Sequence, residues 1–94
     1  MIKLSNLVGK SYNLFFKGEN LDGESVRGTV ISKKVYNPQY KRTDNQYYFV
    51  TNKVRVQLTL KGENRVRKRR AYENNLFIDM TFKDFQRFLE QQSL

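Results

Sequence analysis

The stretch "KVRVQLTLK", residues 53–61, alternates without exception. Val54, Val56, Leu58 and Leu60 are apolar, and Lys53, Arg55, Gln57, Thr59 and Lys61 between them are polar or basic. A period of two sends alternate side chains to opposite faces of an extended chain, so one face is buried and the other is wet. A helix would scatter the four apolar positions around its axis. The chain therefore holds at least one half-buried strand whose exposed face is basic, and any fold it adopts must accommodate a sheet.

The remaining segments extend that sheet. "KSYNLFFK", residues 10–17, reads as a strand with Tyr12, Leu14 and Phe16 on one face. "SVRGTVISKKVY", residues 25–36, is β-branched, and Gly28 within it marks a bend, a bulge or a close backbone approach. "QYYFVTN" and "NLFIDM", residues 75–80, supply two more strands. "GENLDGE", residues 18–24, is turn-rich, and "NPQYKRTDN", residues 37–45, holds the only Pro and is expected to be the longest loop. "IKLSNLVG" suits one helical turn or a lead-in that Gly9 ends. "KGEN" follows a strand twice, in "NLFFKGEN" and "QLTLKGEN", which reads as one turn chemistry used twice.

"TFKDFQRFLEQQ" is expected to be a helix over about residues 81–92. Thr81 is placed to cap it, with Asp84 at the capping-box position. Phe82, Phe85, Phe88 and Leu89 form one stripe at helical spacing and read as a lid over the sheet. The expectation is a single domain over 1–94, mainly β (α+β): a small, strongly bent antiparallel sheet or barrel of about five strands, finished by a C-terminal amphipathic helix.

Charge is concentrated in the middle of the chain. Residues 1–32 carry four basic and three acidic side chains, residues 33–72 twelve and two, and residues 73–94 two and four. The central block therefore holds a net +10 of a total of +9. Such a field attracts polyanions, of which nucleic acid is the commonest in a cell.

The densest run, "NRVRKRRAY", follows the alternating strand. If Gly62, Glu63 and Asn64 form a three-residue hairpin loop with Asn64 left-handed, Leu60 opposes Val66, Lys61 opposes Arg65, Thr59 opposes Arg67 and Gln57 opposes Arg69. Arg55, Lys61, Arg65, Arg67 and Arg69 then share one face, an arrangement of like charges that stability alone does not favour. Lys68 and Arg70 fall on the core side of that register, so the strand must leave the core after Val66 or bulge. Part of this charge also suits an edge strand protected against aggregation.

The candidate nucleic-acid-binding residues are Lys41, Arg42, Lys53, Arg55, Lys61, Arg65, Arg67, Lys68, Arg69 and Arg70, which would contact phosphates, with Tyr40 and Tyr48 placed to stack on bases. They lie on a basic β-hairpin (53–72) and a basic, aromatic loop (37–45), and contacts of this kind carry weak sequence specificity. DNA and RNA both remain open as targets. The alternative is a small protein-interaction module, or a phage-type inhibitor or accessory factor, docking on an acidic or nucleic-acid-handling protein partner. Small size and many Asn and Gln suit a mobile-element product.

Catalysis has little to work with. The chain has no His and no Cys, which removes the usual general base, zinc ligands and disulfides. No phosphate-binding Gly-rich loop is present, and Asp22 with Glu24 lies in a turn without catalytic context. The expectation is a non-enzyme with no cofactor and no metal. No apolar run has the length of a membrane span and no secretory leader is evident, so a soluble cytoplasmic protein without membrane association is expected.

"LVGKSYNLFFKGENLDGESVRGTVISKK" resembles the opening of the Sm-like small-barrel RNA-binding proteins, over about residues 4–34. Leu7, Gly9, Leu14, Phe16, Gly23 and Gly28 match a pattern of short helix, strand, polar turn and second strand with a central Gly. The resemblance implies a strongly bent SH3-like or Sm-like barrel. The family's later RNA-binding motifs have no counterpart in "YYFVTN" or "NRVRKRRAY", so neither its binding residues nor its ring assembly is carried over.

Overall fold

A computed structural model describes residues 2–19, 21–69 and 71–92. After a 3₁₀ turn, Leu4–Leu7, the chain forms β1 (Ser11–Phe15), β2 (Ser25–Asn37), β3 (Arg42–Val50), β4 (Arg55–Leu58), β5 (Val66–Arg67), β6 (Asn75–Ile78) and α1 (Phe82–Gln92). The strands make one curled, half-barrel sheet in the order β4-β3-β2-β1-β6-β5. The fold is mainly β with a C-terminal helix, as the sequence implies. Among the described residues it has six strands where about five are expected, and one pair, β1 with β6, is parallel.

β2 is the long strand about which the sheet is staggered. Its first residues, Ser25–Thr29, pair on one edge with β1, and Thr29–Asn37 pair on the opposite edge with β3, so the two ladders overlap only at Thr29. Gly28, one residue before, shows why the position is Gly: a Cβ would stand 2.6 Å from both the Phe49 ring and the Val50 carbonyl oxygen. Of the three readings its sequence allowed, close backbone approach is the one realised.

The concave face holds the core. Tyr12, Leu14, Val30, Phe49, Val56, Leu58, Val66, Leu76 and Ile78 alternate inward along their strands and are buried. Along β4 the residues between them are polar and point outward, whereas on β1 and β6 the outward positions include Phe15 and Phe77. The helix closes this face. The Thr81 hydroxyl accepts a hydrogen bond from the Asp84 backbone N–H at 3.1 Å. Phe85 is buried beside Phe16, ring centroids 4.9 Å apart, and Phe82 meets Phe16 edge-on at 5.2 Å. Phe88 and Leu89 pack partly buried against the same core, so the Phe stripe is the lid.

Two sequence expectations are corrected. The hairpin over 53–72 does not form. β4 and β5 are opposite ends of the sheet, and they meet through one bridge of parallel sense, Thr59 with Arg65. The Val66 N–H donates to the Thr59 carbonyl at 3.0 Å, and β5 then pairs antiparallel with β6. Gly62 takes the left-handed backbone, φ 76°, in place of Asn64, and Leu60 is exposed. The antiparallel register would have set Lys61 against Arg65 and turned Lys68 into the core. The observed path buries Val66 and ends the strand at Arg67, which leaves Lys68 outside. The expected loop over 37–45 is also shorter: Arg42–Asn45 pair with Asn37–Lys34, leaving residues 38–41 as the turn. Among the described residues, no helix is long and apolar enough to cross a membrane.

Tyr12 is buried, yet its hydroxyl has no hydrogen-bond partner among the described residues. Burial pushes the phenol above its ordinary value of 10.0. An unfolded chain ionises first, so this contribution to stability is complete below that value and is lost as pH rises past it. Tyr12→Phe should therefore be neutral or stabilising at pH 7 in a urea titration, and its advantage over the native protein should widen in alkaline buffer. Gly28→Ala should lose about 1–3 kcal/mol in the same assay, since the new methyl meets a ring and a carbonyl that cannot both withdraw.

Candidate nucleic-acid interface

The outward side chains are disposed in three groups. At the seam where the sheet's ends approach, Lys61, Arg65, Arg67 and Lys68 line one open cleft of about 680 Å3, with Ile2, Leu60 and Val66 as its apolar wall. The Thr59–Arg65 bridge creates this meeting, by bringing the end of β4 to the start of β5. Four residues that sequence placed on a hairpin are thus gathered by a different route.

The cleft's arginines are restrained by one carboxylate. Asp79 lies 3.7 Å from Arg65 Nε and 3.1 Å from an Arg67 guanidinium nitrogen. All three side chains keep partial exposure, at 52%, 40% and 26%, so water screens the pairs and each contributes little to stability. Lys61 and Lys68 make no ion pair among the described residues. The Lys68 ammonium sits 5.6 Å from the Tyr12 ring centroid.

A second group occupies the convex face. Phe15 and Phe77, neighbours in the parallel pairing of β1 and β6, stack at 5.6 Å. Arg69 caps Phe77 at 5.1 Å and Tyr72 meets it edge-on at 6.3 Å. Arg69 thereby leaves the cleft and joins a second hollow, of about 420 Å3, whose wall includes Glu19 and Asp22. Those carboxylates make it the less favourable place for a polyanion.

The third group is the β2–β3 hairpin. β1 covers β2 only to Thr29, and β4 covers β3 only from Tyr47. From Lys33 to Gln46 the two strands pair with each other alone, a ribbon that stands off the body. Tyr40, Lys41 and Arg42 lie at its tip, with the Arg42 guanidinium 5.3 Å from the Tyr40 ring centroid and 2.9 Å from Asp44. Lys41 adopts the left-handed region, φ 50°. Tyr48 faces outward near the root and is covered by Arg55 at 5.0 Å. Lys53 stands apart, in the turn between β3 and β4. Arg70 lies outside the described residues.

Register joins the cleft to the ribbon. Leu58 pairs with Tyr47, and Tyr47 pairs with Ser32 at the ribbon's root. Thr59 and Lys61, which follow Leu58, therefore leave the sheet beside the ribbon. Sequence reasoning named the tip but missed Lys33, Lys34 and Tyr36 on the ribbon and Asp79 at the cleft. The first three lie in or beside the basic block, and their exposure comes from the missing third strand. Comparison with known proteins returns no matching family model, no matching curated protein and no matching solved structure.

Removing the restraining carboxylate should sharpen the cleft's charge. Asp79→Asn is expected to shift elution from a heparin column to higher salt, while lowering unfolding free energy by no more than about 1 kcal/mol.

Proposed function

We propose that the protein is a non-catalytic nucleic-acid-binding module. The observation that carries the reading is the convergence of Lys61, Arg65, Arg67 and Lys68 on one open cleft at the root of a basic ribbon. Flexible ammonium groups and guanidinium forks match phosphate oxygens as point charges and as bidentate donors respectively. The cleft's apolar wall accommodates the faces of sugars or bases. Arg65 and Arg67 exchange part of their hold on Asp79 for phosphates, and Lys61 and Lys68 meet phosphates directly. Lys41 and Arg42 continue the track outward, with Tyr40 exposed beside them for stacking.

The test is a salt series with labelled single-stranded DNA, duplex DNA and RNA. Phosphate-dominated binding should weaken linearly in log affinity against log salt. The double variant Lys61→Ala/Lys68→Ala should flatten the slope on duplex DNA by about 2, as expected for two lost phosphate contacts. Its thermal unfolding should match that of the native protein. Absence of binding to all three probes at about 50 mM salt, where nonspecific phosphate contacts are strong, would overturn the reading in favour of a protein partner.

A further inference from the structure

The two faces of the β2–β3 ribbon are unlike. Cross-strand partners share a face, so Lys34 with Asn45 and Tyr36 with Thr43 lie on one side. Lys33 with Gln46, Val35 with Asp44 and Asn37 with Arg42 lie on the other. All four residues of the first face are exposed, Tyr36 at 61%. On the second face Val35, Asn37, Asp44 and Gln46 are half-buried, and Asp44, the ribbon's single carboxylate, is held by Arg42. The open face thus carries hydrogen-bonding side chains and one cation, with no acid. One further cation, Lys41, stands at its margin in the turn at the tip.

We propose that this open face enters the major groove of duplex B-DNA. The proposal rests on the nucleic-acid reading above and names its target. The unsupported part of the ribbon is five residues long on each strand, about 17 Å at ordinary strand rise, and two strands lie about 4.8 Å apart. The major groove is about 12 Å wide and about 8.5 Å deep and admits a two-stranded ribbon. The residue types suit its floor. Lys donates to the two acceptors of guanine, Asn pairs with the donor and acceptor of adenine, and a Thr methyl packs on thymine. Lys34 and Asn45 are direct cross-strand neighbours, so they address adjacent positions. Lys41 reaches a flanking phosphate, and the cleft at the ribbon's root takes the backbone beyond. A-form RNA offers a major groove too narrow for such an element, so the geometry discriminates against duplex RNA.

The experiment compares the full chain on a DNA duplex, an RNA duplex of the same sequence, the separated DNA strands, and a DNA duplex whose cytosines carry a glucosyl group in the major groove. Fluorescence anisotropy reads each affinity. The plain DNA duplex should bind tightest, and the glucosylated duplex should bind several-fold more weakly. Asn45→Ala and Lys34→Ala, both at exposed positions, should each weaken plain duplex binding by roughly fivefold or more, the lower end for a lost base-edge contact. They should leave single-strand affinity within error.

Equal binding of RNA duplex or single strands, indifference to the glucosyl group, or indifference to both substitutions overturns the groove assignment while the nucleic-acid reading survives. Failure to bind any of the four probes removes that reading itself.

Discussion

The structure depends on the stagger of its longest strand. One edge of β2 pairs with β1 up to Thr29, with Val30 still bonded to Gly9 and Lys10 just before β1, and the opposite edge pairs with β3 from Thr29 onward. Gly28 lets the Phe49 ring and the Val50 carbonyl approach the strand closely where this stagger falls. The concave face then has the curvature to wrap Tyr12, Leu14, Val30 and Phe49 around the Phe85 lid. A chain of this size buries only a modest core, so efficient wrapping matters more than strand number. The same stagger leaves the far half of β2 without β1 on its other edge, and β4 stops short on the far side of β3, which is why a two-stranded ribbon emerges at all.

Curvature also sorts the charge. With the concave side filled by apolar residues, cations have only the convex face, the rims and the ribbon to occupy. The chain uses all three, and their surroundings differ. Arg69 lies against an aromatic pair, Arg65 and Arg67 share one carboxylate, and Lys61 and Lys68 at the seam make no ion pair among the described residues. Coulomb attraction for a distant polyanion sums over all of them, whereas close contact selects those not already engaged. The root of the ribbon is where the least engaged cations lie nearest to a protruding element, and the proposed function is placed there for that reason.

Strong local patterns were readable and distant pairings were not. Val54, Val56 and Leu58 alternate so cleanly that their burial follows from spacing alone. The Thr81 cap and the Phe stripe likewise identify α1, because both signals act within four residues. Leu60 shows the boundary: it keeps the alternation but lies past the Thr59 bridge, where the chain has already turned, and it is exposed. The 53–72 hairpin failed because "KGEN" permits a turn without dictating which strand comes to lie alongside. Val66 pairs instead with Ile78 in β6, where both are buried. Pro38 and the turn formers around it correctly mark a reversal, but its length was overestimated, since polar residues such as Thr43 and Asn45 pair in strands as readily as they line loops.

By itself, the sequence determined that this protein builds a basic-faced sheet capped by an amphipathic helix, because hydrophobic period and capping chemistry are local and leave little choice. It also determined that the excess positive charge lies between residues 33 and 72. Tertiary structure decided where that charge meets. The parallel bridge at the seam, the insertion of β6 between β1 and β5, and the reach of β2 and β3 past their neighbours all depend on contacts between residues far apart in the chain. Those contacts are selected by the burial of the whole core, which no short segment encodes alone.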